Sequence, residues 1–292
     1  AFHGLGYKKV SRAIPKMVNT IRKINPDIII STLDHLNLAL LLVKPFLPNN
    51  TLLFLRECNL TSSNLENGFK NVAFRLLKKR LLKFADRIIC PANAIKNDLQ
   101  INFGISPDKM ITIYNPVQVE EIRSHMPPHH PGKPSSVYNI VAAGTLEYRK
   151  GFDLLIDVMS IIVEENHKVH LTLLGDGPEK ENLRKQIHSL NLSDHVRLAG
   201  YQNNPFTCFS KADLFVLSSR YEGLPNAVLE SLACGTPVVA FNCPGGIDEI
   251  IVDELQGALV PENDVHALSK AIEKQMRSHR PARGSFLPDK FD

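Results

Sequence analysis

RYEGLPNAVLESLACGTPVVAF, residues 220–241, places an apolar helical run between a Gly-Leu-Pro turn and a β-branched strand. Residues 214–217 ahead of it read as another strand. Residues 218–225 then form the loop that leaves that strand, Asn226 opens the helix, and Gly235 ends it just past the cap. A strand, a loop, a helix and a second strand make the βα unit of a parallel sheet. Within this unit two glutamates, Glu222 and Glu230, stand eight positions apart, which is the wrong spacing for a shared helix face. The unit explains the spacing. Glu222 lies in the loop, Glu230 lies about one turn into the helix, and Gly223 and Leu224 present main-chain N–H groups near the positive end of the helix dipole. Two carboxylates that accept hydroxyl protons, with anion-binding N–H groups between them, suit a ligand with hydroxyls on both sides of a diphosphate. A nucleotide sugar has that form.

The same alternation continues outward. In the second half, residues 138–142, 169–174, 196–198, 214–217 and 237–241 read as strands, and 152–165, 179–190, 226–233 and 265–277 as helices. Five such repeats make a doubly wound domain whose ligands bind beyond the carboxyl ends of the strands. In the first half the strands are 27–31, 51–55, 87–90 and 111–114, with helices at 8–24, 69–85 and 94–102. That half is short of an opening βαβ unit. Residues 120–136, EEIRSHMPPHHPGKPSS, are dense in proline and polar residues and read as a linker. The expected organisation is α/β: a first domain at 1–118, a linker at 119–136 and a second domain at 137–292.

Composition bounds the function. A chain of 292 residues that is 43% hydrophobic supports two ordinary cores. Its longest apolar stretch, residues 38–43, is far too short to span a bilayer, and no basic-then-apolar leader is visible. Five scattered cysteines form no CxxC pair and no metal-ligand spacing, which reads as reduced thiols in a cytoplasmic protein without a metal or cofactor. Charge is unevenly shared: residues 1–118 hold 17 Lys+Arg against 7 Asp+Glu, and residues 119–292 hold 17 against 23. A basic first half faces something anionic, either substrate phosphates or a membrane surface. It lacks the interleaved aromatics and modules of a nucleic-acid binder.

Three further loops follow predicted strands in the second half. Residues 142–155, AAGTLEYRKGFDLL, carry Gly144 and Thr145 and then Arg149-Lys150 at a helix start, where cations neutralise phosphate. Residues 173–183 contain Gly175 and Gly177 with Pro178 at a suitable first helical position. Residues 198–205 present Tyr201 and Gln202 at the tip, a size suited to a nucleobase. Taken singly, these loops read equally well as a solvated charge pair, a βα turn and a plain connection.

Together the motifs resemble family-4 retaining glycosyltransferases of the GT-B fold, with their E-x7-E signature. E-G-L-P-N-A-V-L-E-S-L-A-C-G-T-P-V-V-A, then P-G-G-I-D-E-I, K-G at 150–151, G-D-G-P at 175–178, Ala212-Asp213 and Y-N-P at 114–116 agree in order and spacing. The likeness is good over about 85–265. It implies two Rossmann-like domains facing a cleft, the first apparently incomplete. Glu222 is implied beside the donor sugar and β-phosphate, Glu230 at the ribose, and Lys150 at the departing diphosphate. Gly223, Leu224, Pro225 and Asn226 are implied at the sugar and phosphate. The activity implied is metal-independent transfer, with retention, of a hexosyl or N-acetylhexosaminyl group from a nucleoside diphosphate sugar, taken as a UDP-sugar. The acceptor implied is a saccharide or lipid-linked saccharide in surface polysaccharide or glycoconjugate assembly.

Thr145 departs from the family's G-R-L, and Arg149 is the substitute cation. In place of the family's first-domain histidine loop stands LRECNLTSS, residues 55–63, where Arg56 and Glu57 are acceptor-side candidates. After about Lys274 the tail lacks the helix that crosses back to the first domain. Segment 68–84, with six basic side chains and no acid, reads as an amphipathic helix with Arg75, Lys78 and Lys79 opposite its apolar side. It is a candidate for peripheral contact with the inner face of a membrane, or an ordinary surface helix. The competing functional reading is an inactive nucleotide-sugar-binding regulatory or scaffold protein.

Overall fold

The computed structural model describes residues 10–60, 62, 69–126, 137–165, 168–277 and 285–291. The chain divides into two compact units, Ala1–Tyr114 and Asn115–Asp292. The first contains α1 (Val10–Ile24), β1 (Ile28–Ser31), α2 (Asp34–Val43), β2 (Leu52–Arg56), α3 (Phe69–Leu82), β3 (Arg87–Cys90), α4 (Asn93–Phe103) and β4 (Met110–Thr112). Its strands pair in parallel in the order β1-β2-β3-β4, with Leu53 beside Ile29 and Leu55 beside Ile88. Leu53, Leu55 and Ile88, on one face of the sheet, are fully buried with Leu99 and Phe103, whereas Ile30, Leu52 and Ile111 on the other face are exposed. Among the described strands of this unit the order never reverses.

The side of α3 that faces the core is not the one expected. Leu76 and Leu77 are exposed, whereas Lys78 and Leu82, one turn apart, are buried. The wheel that set Lys78 on the polar side is therefore corrected. Lys78 turns inward because Glu57 awaits it: Nζ donates to Glu57 Oε2 at 2.8 Å, and Asn37 Nδ2 donates to Oε1 at 2.8 Å. The side chains of residues 69–74 lie outside the described residues.

The second unit contains α5 (Val119–Ser124), β5 (Tyr138–Ala143), α6 (Phe152–Glu164), β6 (Val169–Leu174), α7 (Lys180–Ser189) and β7 (Val196–Gly200). It continues with α8 (Phe206–Lys211), β8 (Leu214–Leu217), α9 (Asn226–Ala233), β9 (Val238–Phe241), β10 (Gly257–Val260) and α10 (Val265–Arg277). All six strands are parallel, in the order β10-β9-β8-β5-β6-β7. Every residue of β8 and β9 is buried, which is why both read as continuous apolar runs.

Two segments differ from expectation. Residues 119–124, read as linker, form α5, whose Val119 and Ile122 are buried at a spacing of three with Glu120 and Glu121 in the first turn. Residues 127–136 lie outside the described residues. The described residues of the tail, 285–291, are tied to their own unit: Phe286 N–H donates to Leu232 O, Val117 N–H donates to Phe291 O, and Phe291 is buried.

Cutting either partner of the Glu57–Lys78 pair breaks the 2.8 Å ion pair of a buried charge, while the other carboxylate beside Lys78, Asp34, stands 3.9 Å away. Glu57→Ala or Lys78→Ala is expected to cost roughly 3–5 kcal/mol in urea unfolding. The double variant Glu57→Leu/Lys78→Met is expected to recover most of that loss.

Candidate functional site

In the second unit the chain runs from β5 outward through β6 and β7, then returns to the other side of β5 at β8. That reversal is a topological switch point, beyond whose carboxyl ends ligands bind in open α/β sheets. Gly151 lets the two loops meet. It has a left-handed φ of 60°, and a Cβ there would stand 2.0 Å from Ser218 O.

Three consecutive carbonyls of the β5 loop are claimed by two residues of the β8 loop, Ser218 and Arg220. Ser218 Oγ donates to Lys150 O at 3.0 Å, Arg220 N–H to Arg149 O at 2.8 Å, and Arg220 Nη1 to Tyr148 O at 2.6 Å. The guanidinium of Arg220 also forks onto Asp153, at 2.8 Å through Nη1 and 2.6 Å through Nη2. Its Cζ lies 3.9 Å from the ring centroid of Tyr148.

With the backbones joined, the cations converge. Lys150 Nζ donates to Glu222 Oε1 at 2.7 Å and Arg149 Nη1 to Glu222 Oε2 at 2.8 Å. Ser219 Oγ adds a bond to Oε1 at 2.6 Å. Glu222 is only 5% exposed, so its charge is held by these donors rather than by water. Arg149 Nη2 also reaches Glu147 at 2.8 Å. Burial works against the Arg149 charge, but the neighbouring Glu222 and Glu147 carboxylates outweigh it and hold its pKa above the ordinary value. Gly144 lies under the Lys150 stem, where a Cβ would come within 3.0 Å of Cε. Beyond Glu222, the loop after β9 closes on the turn: Glu222 N–H donates to Pro244 O and Gly246 N–H to Gly223 O. Leu224 is buried, and Pro225 caps α9 without any side-chain capping bond.

Glu230, inside α9, lines a cavity of about 280 Å³ with Pro116, Val117, Gln118, Glu121, Ile122, Phe206 and Asn226. Burial raises its pKa above the usual carboxylate range. Asn226, at the helix start, accepts from Asn115 Nδ2 at 2.6 Å. The remaining predicted residues sit on the same rim. Gly175 passes so close to the β5 loop that a Cβ would stand 1.9 Å from Gly144 O, and Gly177 is pressed against Leu146 O. Thr145 is exposed, Tyr201 is 75% exposed, and Gln202 Nε2 donates to Ala199 O at 2.9 Å.

Arg56 and Glu57 belong to the first unit. Glu57 is fully buried against Lys78 and Asn37, so it anchors the exit of β2, while Arg56 ends the strand half-buried. Sequence reasoning missed Ser219, Arg220, Asp153 and Glu147. A signal was present for Arg220, whose charge directly precedes Tyr221-Glu222. Its partner Asp153 is 67 positions away and could not be paired from sequence. Cys90, Cys234 and Cys243 have thiols pushed up by burial to about 12, so none is a ready nucleophile.

The fold and the family follow from comparison with known proteins. Residues 129–284 match the family described as Glycosyl transferases group 1, and residues 2–121 match Glycosyltransferase Family 4. The chain belongs to the group 1 glycosyl transferases and has the GT-B fold. An uncharacterized glycosyltransferase of Methanocaldococcus jannaschii is 31% identical over 258 residues, 85% of this chain and 63% of the relative. A second relative, from Campylobacter jejuni, is 29% identical over 233 residues, 80% of this chain and 62% of that protein. It is the N-acetylgalactosamine-N,N'-diacetylbacillosaminyl-diphospho-undecaprenol 4-alpha-N-acetylgalactosaminyltransferase. The chain thus spans about three fifths of the length of these relatives. Among solved structures, Anabaena HepE in complex with UDP-glucose superposes with a TM-score of 0.75 at 20% identity, covering 92% of this chain and 74% of HepE.

The raised pKa of Glu230 fixes the sign of a pH effect. The folded protein binds the proton more tightly than the unfolded chain, so the group costs stability as pH rises through the folded pKa. Glu230→Gln is expected to leave Tm equal or higher at pH 7, with the difference vanishing near pH 4, in calorimetric scans without ligand.

Proposed function

We propose that this chain carries the donor site of a retaining glycosyltransferase that uses a nucleoside diphosphate sugar, specifically a UDP-sugar. The observation that carries the reading is the convergence of Lys150 and Arg149 on the buried Glu222 at the switch point, beside the start of α9. A diphosphate placed there meets two cations and the N–H groups of Gly223 and Leu224. The ribose hydroxyls reach Glu230 in its cavity, and the base extends toward Tyr201 and Gln202.

In the transfer, the bond from the anomeric carbon to the diphosphate oxygen breaks and its electron pair leaves with the nucleoside diphosphate. Lys150, Arg149 and the helix-end N–H groups offset that charge, the work that a divalent ion performs in other transferases. The acceptor hydroxyl bonds to the anomeric carbon with retention, and its proton passes to the departing diphosphate. With three donors already on its oxygens, Glu222 serves to fix the cations and border the sugar. Arg149, already beside Glu222 and Lys150, is the proposed substitute for the arginine that Thr145 replaces, which weighs against the Thr145 argument for an inactive subunit.

The Campylobacter jejuni relative is named for a diphospho-undecaprenol-linked acceptor, and a Staphylococcus aureus relative, 28% identical, is a poly(ribitol-phosphate) alpha-N-acetylglucosaminyltransferase. These names support a saccharide or lipid-linked acceptor in surface glycoconjugate assembly, with a hexosyl or N-acetylhexosaminyl group transferred. Arg56 remains the acceptor-side candidate of the first unit. No described helix is long and apolar enough to cross a membrane. Contact with an anionic membrane surface is instead proposed through α3 and the residues after it, where Leu76, Leu77 and Phe84 are exposed beside Arg80 and Lys83.

Nucleotide sugars screened at equal concentration should stabilise the protein selectively, with UDP-sugars giving the largest shift in Tm. Lys150→Ala and Glu222→Ala are each expected to lower kcat for donor turnover by roughly 100- to 1,000-fold. Turnover unchanged in both would remove the catalytic assignment, and UDP binding without any turnover would favour a regulatory protein. Sedimentation with vesicles should rise with phosphatidylglycerol content and fall with salt, and Leu76→Glu/Leu77→Glu should abolish it. Indifference to lipid charge would refute the membrane contact.

A further inference from the structure

The cation-bearing turn Tyr148–Lys150 closes on itself through Lys150 N–H to Glu147 O at 2.9 Å and Gly151 N–H to Tyr148 O at 3.1 Å, and the β8 loop ties it in place from outside. Of the three bonds that tie it, one comes from Ser218 Oγ and two from Arg220, through its main-chain N–H and its guanidinium. The same guanidinium grips Asp153 in the first turn of α6 with two bonds and stacks on the Tyr148 ring. A single side chain therefore ties the turn ahead of Arg149 and Lys150 to the helix that follows them. Its own side chain is only 15% exposed, so these contacts and not solvent fix its place. A planar fork satisfies this geometry where a lysine, a point donor, cannot.

We infer that Arg220 is a positioning residue for diphosphate binding, holding the Tyr148–Lys150 turn so that Arg149 and Lys150 present their charges together. It touches neither cationic head group and acts through the backbone that carries them. The inference rests on the donor-site reading given above and extends it to a side chain outside the E-x7-E signature. Loss of the clamp frees the turn, so the two cations must be ordered when the ligand binds, and the penalty falls on phosphate recognition. Recognition of the nucleoside, which depends on Glu230 and its cavity, is left alone.

UDP and uridine distinguish the two, because they share the nucleoside and differ only in the diphosphate. In NMR titrations of the full chain, Arg220→Ala is expected to bind UDP about tenfold more weakly while uridine binding is unchanged. Arg220→Lys and Asp153→Asn keep side-chain volume, serve if the alanine variant fails to fold, and should show the same selective loss to a smaller degree. In a Lys150→Ala background the further effect of Arg220→Ala should shrink well below tenfold, since both changes disable one element. UDP affinity that survives Arg220→Ala, or UDP and uridine affinities that fall together, would overturn the inference. If the unaltered protein binds neither UDP nor uridine, the donor-site reading fails first and the inference falls with it.

Discussion

One buried carboxylate organises the second unit's working face. Glu222 is almost removed from solvent, and an isolated carboxylate there would be costly. Lys150, Arg149 and Ser219 make it tolerable, and in doing so they pin three segments to one point: the turn after β5, the loop after β8 and, through main-chain bonds at Glu222 and Gly223, the loop after β9. The glycines follow from this convergence. Gly151, Gly175 and Gly245 stand where backbone passes backbone too closely for a Cβ.

The arrangement keeps two cations assembled before any anion arrives. Bringing like charges together without compensation would be unfavourable, and Glu222 and Glu147 supply that compensation in the protein alone. On the proposed donor-site reading, a diphosphate meets preorganised donors and need not gather mobile side chains, which is where electrostatic stabilisation of a leaving group gains most. Glu230, one turn into α9, is the contrasting case. Among the described residues it has burial without a cation beside it, and so a proton affinity above the usual. One βα unit thus carries a buried carboxylate gripped by cations and another that burial makes reluctant to charge.

Much of this was legible in the sequence, for identifiable reasons. The strands β8 and β9 announce themselves as unbroken apolar runs because both faces of a parallel sheet are covered. The placement of Glu222 in a loop and Glu230 in a helix followed from Pro225 and Gly235 alone. What escaped depends on distance along the chain or on short elements. β10 opens on Gly257 at the edge of the sheet and is only partly buried beyond it, so it lacks the fully apolar, β-branched look of β8 and β9, and α5 was hidden by the proline-rich stretch behind it. Arg220 gains meaning only when folding brings Asp153 to it. Lys78 misled because a wheel drawn from composition assumes that charge points outward; Glu57, buried on a neighbouring strand exit, reverses that rule.

The central claim is that the Lys150–Arg149–Glu222 cluster is a diphosphate site and the Glu230 cavity is its ribose site. A crystal structure of the protein grown with UDP tests it most directly. The account predicts electron density for the diphosphate within hydrogen-bond distance of Lys150 Nζ, Arg149 and the Gly223–Leu224 N–H groups, with the ribose hydroxyls on Glu230. UDP bound with its phosphates away from this cluster, or with its ribose on the far side of α9 from Glu230, would contradict it.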